Sequence, residues 1–251
     1  MIFDNPVKRK MKAGIPVFGV LSPTTDPVIC EYIGLEGLDF YMIDAEHGAI
    51  TPSDIGNMIR ACECKGITPL ARVGDLNEKL ILQFLDAGVK GIMMPGVASL
   101  EDVQQLVRAM LYPPLGTRGL GPVRAANYMK GVAQAQYIKE ANEGLLILPQ
   151  IEDLTCIENL HELLAVKEVD GFIIGPRDLA LSMGFYDGPA HDEVKNKIND
   201  LFEQVLAAQK CIGTVAGNRV QAKALTDKGA TFILNSVQGL ISEGINQFKI
   251  T

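Results

Sequence analysis

Apolar residues in this chain come in short unbroken runs, and a longer segment of helical spacing follows nearly every one. Eight runs stand out: 16–22 (PVFGVLS), 39–44 (DFYMID), 68–73 (TPLARV), 91–97 (GIMMPGV), 145–152 (LLILPQIE), 171–176 (GFIIGP), 211–217 (CIGTVAG) and 231–237 (TFILNSV). They are apolar almost throughout rather than alternating, as in strands of a parallel sheet covered on both faces. Between them, 52–65, 77–87, 99–111, 154–167, 191–210 and 218–228 carry apolar positions three and four apart, which predicts helices. Thr51 before Pro52 reads as an N-cap with proline at the first helical position. Ser99 with Glu101 and Asp102 places acids in another first turn.

Eight strands alternating with helices in 251 residues predict an α/β fold of the (β/α)8 TIM-barrel type, a single domain over 1–251. The competing open sheet has fewer strands and a Gly-rich nucleotide turn. RGLGPVR at 118–124 offers two of the three glycines of such a turn, but Arg124 stands at the third place and no clear strand precedes it. The rhythm breaks once, at a long insertion between strands four and five, roughly 112–143. Loops of that length are uncommon unless functional.

Composition narrows the function classes. At 47% hydrophobic and 21% charged, the chain can bury a large core, and its net charge of −7 argues against nucleic acid or an anionic membrane as partner. No stretch approaches the roughly 18 apolar residues of a membrane span. The basic start has no apolar run behind it, so a secretory signal is not expected. Five scattered cysteines (30, 62, 64, 156, 211) read as reduced thiols of a cytoplasmic protein.

In a barrel, the residues that end strands fall on the C-terminal face, where active sites form. Strand two ends in Asp44, Glu46 and His47, strand three in Arg72, strand five in Gln150 and Glu152. Strand six runs into Gly175, Pro176, Arg177 and Asp178. Glu152 and Asp178, with Gln150 nearby, suit a hard divalent ion that keeps several waters or substrate oxygens. They equally suit two helix caps. His47 is a candidate for proton transfer, with Asp44 and Glu46 to orient it or hold water, or else a loop histidine bonded to a backbone carbonyl. Arg72 is either a clamp for a carboxylate or oxyanion or an ion-pair partner for a neighbouring acid.

Six blocks together resemble the HpcH/HpaI aldolase family: DFYMIDAEHGA (39–49), PLARV (69–73), LDAGVKGIMMPGV (85–97), YPPLGTRGLGPVRAANY (112–128), LPQIED (148–153) and DGFIIGPRDLALSMG (170–184). The resemblance implies a (β/α)8 barrel and a metal-dependent (class II) pyruvate aldolase, a carbon–carbon lyase of the 4-hydroxy-2-oxoheptanedioate or 2-dehydro-3-deoxyglucarate type. It implies His47 as catalytic base and Arg72 as the residue that binds pyruvate and steadies its enolate. Glu152 and Asp178 would hold Mg2+, Mn2+ or Co2+, Gln150 would bind substrate or water, and Asp86 would raise the basicity of the histidine. Asp86 precedes strand four on the bottom side, which makes Asp44 the easier orienter by topology. Arg177 and Asp178 are also expected to bind substrate. Arg177 stands where many relatives have a small residue, which makes the pocket smaller or differently charged. Ala180 stands where a serine is usual, and Gln238 near where relatives often carry Asp.

The implied reaction is cleavage of a 4-hydroxy-2-oxo acid to an aldehyde and a pyruvate enolate held by metal and Arg72. The alternatives are decarboxylation of oxaloacetate or a similar 2-oxo diacid on the same site, and a CoA-thioester lyase of the citrate-lyase β type. The resemblance further implies a homohexamer, a trimer of dimers that exchanges the C-terminal helix (239–248). On that expectation part of the insertion borders a neighbour's pocket.

Overall fold

The computed structural model describes residues 3–250; Met1, Ile2 and Thr251, the ends of the expected 1–251 domain, lie outside the described residues. Eight parallel strands close into a barrel in sequence order: β1 (Val17–Ser22), β2 (Phe40–Asp44), β3 (Thr68–Arg72), β4 (Gly91–Met94), β5 (Leu146–Ile151), β6 (Gly171–Ile174), β7 (Cys211–Val215) and β8 (Phe232–Ser236). Every predicted run contains one strand. The ring closes where Val17 to Leu21 of β1 pair with Phe232 to Ser236 of β8.

The barrel is filled, not hollow. Phe40, Met42, Leu70, Met93, Leu146, Leu148, Ile173, Phe232 and Leu234 form the interior cluster. Phe40 of β2 and Phe232 of β8, the strands on either side of β1, stack at 4.3 Å. A Cβ on Gly19 would sit 2.4 Å from the Phe40 ring, so β1 approaches β2 this closely only with glycine there. A second, larger apolar shell lies between the strands and the surrounding helices.

The bottom of the barrel is plugged by helix 6–12, which the spacing analysis did not single out. Asn5 caps it by accepting from the Lys8 amide, Pro6 takes the first helical position, and Val7 and Met11 join the interior cluster. Lys8 enters with them. Its Nζ donates to the Leu145 carbonyl and lies 2.9 Å from Asp170 Oδ2, both side chains under 10% exposed. Burial pulls the Lys8 ammonium below the usual lysine value, and Asp170 opposes that shift.

Several local expectations change. Thr51 does not cap a helix at Pro52: residues 52–54 form turns, Thr51 Oγ1 donates to Asp54 Oδ2, and the helix runs Ile55–Lys65. Residues 154–167 hold two short helices, 154–158 and 160–164, broken at Asn159. Ser99 makes a full capping box with Asp102 for helix 100–110.

The insertion is not a bare loop. It contains a 3-10 turn (124–129) and most of helix 134–144, anchored by buried Tyr112, Arg118, Ala126, Tyr137 and Ala141. Tyr112 and Tyr137 are buried edge to face, and buried Arg118 lies over the Tyr112 ring while donating to Asp86. All five cysteines are free.

The Lys8–Asp170 pair generates a stability prediction. Asp170→Ala leaves a buried ammonium with only a carbonyl partner and should cost about 3 kcal/mol in urea denaturation. The double substitution Lys8→Met, Asp170→Leu should recover most of that loss.

Candidate active site

Parallel pairing brings the strand ends to one rim, and the register decides what meets there. Asp44 is the direct partner of Arg72 across the β2–β3 seam. The guanidinium donates twice to that carboxylate, Nε to Oδ1 at 2.9 Å and Nη2 to Oδ2 at 2.7 Å, with both side chains buried. Nη1 lies 3.0 Å from Glu46 Oε2, an ion pair out of line for a hydrogen bond. Asp44 Oδ1 also accepts from the Glu46 and His47 amides, both at 3.3 Å. One carboxylate therefore shapes the loop that follows β2 and fixes Arg72 at the end of β3.

Across the rim, Glu152 follows β5 directly. Its Oε1 accepts from the Gly96 amide at 2.6 Å and its Oε2 from Gln150 Nε2. Gly96 turns at φ +64, a left-handed conformation that glycine takes without strain. Gly175 also has a steric reason: a Cβ there would stand 2.5 Å from Gln150 Nε2 and 3.1 Å from Glu152 Cβ. Burial pushes the Glu152 carboxyl above the usual glutamate value and the Gly96 bond opposes it. Glu46 and Asp178 push it up further, while Arg72 works against them.

Beside these groups lies a cavity of about 550 Å3. His47, Arg72, Gln150, Arg177 and Asp178 line it, with Asn235, Ser236 and Glu243 on the β8 side. No lysine is among its lining residues. His47 is exposed, and among the described residues its ring has no hydrogen-bond partner, so it is not bonded to a backbone carbonyl there.

The remaining expected site residues fall as follows. Asp86 ends helix 78–87 at the opposite end of the barrel and pairs with Arg118 at 2.9 Å, so within one chain it does not reach His47. Asp44 holds the His47 amide and not its ring, because its carboxylate is committed to Arg72. Glu152 is not a helix cap either: Asp153 takes that role by accepting from the Cys156 amide. Asp178 lies in the first turn of helix 176–182, whose N-cap Gly175 has no side chain to offer. Ala180 is buried on the inner side of that helix. Gln238 is exposed and outside the cavity lining, whereas Asn235, Ser236 and Glu243 line it without having been singled out. Only their position at the end of the last strand could have pointed to Asn235 and Ser236.

The donor set fits a hard divalent cation. Glu152 and Asp178 supply carboxylates, and Gln150 Oε1 is buried with no partner beside them. Among the described residues no group of three or more His, Cys, Asp and Glu side chains forms a ready-made metal cage. A cation here would complete its shell with water or substrate oxygens.

A closed parallel barrel with acids, an arginine and a histidine gathered at the C-terminal mouth is the architecture of a barrel enzyme. The HpcH/HpaI aldolase/citrate lyase model matches residues 18–241, and the chain belongs to that family. It is 32% identical over 242 residues to a 2-keto-3-deoxy-L-rhamnonate aldolase of Klebsiella pneumoniae subsp. pneumoniae, covering 96% of this chain and 90% of the relative. Among solved structures, an HpcH/HpaI aldolase from Desulfitobacterium hafniense DCB-2 superposes with a TM-score of 0.88 at 29% identity, covering 97% and 96% of the two chains. The citrate synthase SbnG superposes at 0.87 with 27% identity, covering 99% and 96%.

The buried pair at the rim makes a prediction that needs no substrate. Asp44→Asn removes the bidentate acceptor and leaves Arg72 buried beside Glu46 alone. Urea denaturation should show a loss of about 3 kcal/mol, and a loss below about 1 kcal/mol would place the pair among ordinary surface bridges.

Proposed function

We propose that this protein is a divalent-metal-dependent aldolase that cleaves 4-hydroxy-2-oxo acids to pyruvate and an aldehyde. The observation that carries this reading is the rim itself: a fixed arginine shares a cavity without a lysine with Asp178 and Gln150, and the Glu152 carboxylate lies directly behind Gln150 within reach of the Asp178 charge. A Schiff-base route needs a lysine amine at the substrate carbonyl, and the lining offers none. A divalent cation bound at Glu152 and Asp178 supplies Lewis-acid polarisation of the 2-oxo acid.

The side chains present account for the other requirements. Arg72 spends three of its nitrogens on Asp44 and Glu46, which leaves N–H groups on Nη1 and Nη2 to face the cavity. Held this way, the guanidinium can stabilise charge that develops on the enolate oxygen without reorganising. His47 is free to take the proton of the C4 hydroxyl as the C3–C4 bond breaks. Gln150 presents its unpartnered oxygen beside Glu152, where it can fix a substrate hydroxyl or a water.

The reaction is tested by metal removal and substitution. EDTA should abolish retro-aldol release of pyruvate, and Mg2+, Mn2+ or Co2+ should restore it, but not in Glu152→Ala. His47→Ala should lower kcat by about 100-fold or more and change the pH–rate profile, with a smaller change in pyruvate affinity. Full activity in EDTA, a borohydride-trapped pyruvate adduct, or CO2 in place of aldehyde would sink this mechanism.

The same reading includes a homohexamer with an exchanged C-terminal helix. Helix 237–248 buries only Val237 on its own chain, while Leu240, Ile241, Ile245 and Phe248 are 40–90% exposed. Nearby, Ile15, Phe18, Val28, Tyr32 and Leu35 leave the outer wall at β1 and helix 27–35 uncovered. Two uncovered apolar faces in one chain support mutual covering between copies. Light scattering should return six times the 27.2 kDa chain mass. Replacing Ile245 and Phe248 together by Asp should break the assembly into smaller species. A wild-type monomer at micromolar concentration would defeat this reading.

A further inference from the structure

Helices 27–35 and 55–65 pack side by side on the outside of the barrel, and they come very close. A Cβ on Gly34 would stand 2.5 Å from Lys65 Cβ, so the two elements meet there only because position 34 has no side chain. One turn back along the first helix is Cys30, and three residues back along the second is Cys62, on the same two contact faces. Both thiols are fully buried in the shell between strands and helices, and their side chains are in hydrogen-bond contact. Tyr41 of β2 closes the cluster from below, its buried hydroxyl beside both sulfurs with no aligned partner of its own. Cys64, two residues beyond Cys62, is exposed on the other side of its helix.

Nothing in the aldol chemistry uses this cluster, and its two thiols are not equivalent. A thiolate on Cys30 would accept hydrogen bonds from the Cys62 thiol and the Tyr41 hydroxyl. The Cys62 contact is the larger influence and pulls the Cys30 thiol below the usual cysteine value against its burial. The same contact, together with burial, pushes Cys62 up. Cys30 is therefore the better nucleophile of the pair. We infer that Cys30 and Cys62 form a redox modification site, which closes reversibly to a disulfide when the protein meets hydrogen peroxide. The Cys30 sulfur attacks one peroxide oxygen, the O–O bond breaks, and the hydroxide released leaves as water with the proton lost by Cys30. The Cys62 sulfur then attacks the Cys30 sulfenic acid. The S–S bond forms, the S–O bond breaks, and the oxygen departs with the Cys62 proton as a second water. Two thiols are oxidised and one peroxide is reduced. Access comes through local opening: of the nine residues in helix 27–35 only Cys30 is fully buried, so little packing holds the helix over the pair.

The test uses the purified chain carrying Cys64→Ser, which removes the exposed thiol. Of its four remaining thiols, two should be lost on treatment with hydrogen peroxide and return with dithiothreitol. A digest made without reductant should contain the Cys30 and Cys62 peptides joined, lighter by two hydrogens than their sum. The linked protein should unfold at higher urea than the reduced one, because the link closes a loop of about thirty residues in the unfolded chain. Dimedone should label Cys30 in Cys62→Ser and leave Cys62 unlabelled in Cys30→Ser. Four thiols surviving peroxide, a link that forms only in urea, joining of other cysteines, or a linked protein less stable than the reduced one would overturn the inference. Label on Cys62 in place of Cys30 would overturn the order of attack.

Discussion

Asp44 and Arg72 meet as direct partners across the β2–β3 seam, and the rim of the barrel is arranged around that pair. Removing both charges from water is costly, and the cost is recovered only if the hydrogen bonds are well aligned. The parallel register supplies the alignment, because residues at the same height on adjacent strands have fixed separation and direction. Three consequences follow from one carboxylate. Arg72 cannot swing away from the mouth, the Glu46 and His47 amides are drawn onto Asp44 Oδ1, and His47 is set at the edge of the cavity. Glu46 is carried to the same place, where its charge raises the affinity of Glu152 for a proton.

Opposite that pair stands a group with the reverse problem. The Glu152 carboxylate is buried near two other acids, so its charged form is disfavoured even though a backbone amide and an amide side chain point at it. Strand ends are where such a conflict can persist. The cost is met by the closed barrel below, whose apolar filling does not depend on what the rim residues are. A cation held there would resolve the conflict by taking the place of a proton as counter-charge.

The barrel was legible in the sequence because strands buried on both faces leave a continuous apolar signature, and all eight runs contain a strand. Helix ends were less legible, as Thr51 and Asn159 show, because capping depends on which oxygen reaches which amide. Strand-end reasoning placed His47, Arg72, Gln150, Arg177 and Asp178 on one cavity. It could not show that Arg72 is bound twice to Asp44, since that requires the register of two strands. Nor could it show that Asp86 is taken up by Arg118, thirty-two residues away at the other end of the barrel. Asn235 and Ser236 were missed for a related reason: their polar atoms bond to backbone, which leaves no motif to read. Helix 6–12 was missed because it is too short for a period, and its function as a plug depends on where the barrel is open.

The two ends of the cavity are built with different rigidity. The β3–β5 side uses groups on or directly after strands, each fixed by register or by a buried bond. The far side uses Arg177 on a seven-residue helix and Glu243 in the second turn of helix 237–248. That second helix begins at the cavity, capped by Ser236, and runs on into an apolar face that its own chain leaves bare. Enolate chemistry depends on distances that the barrel holds by itself. The Glu243 end of the cavity is held less firmly, because helix 237–248 buries only Val237 against its own chain.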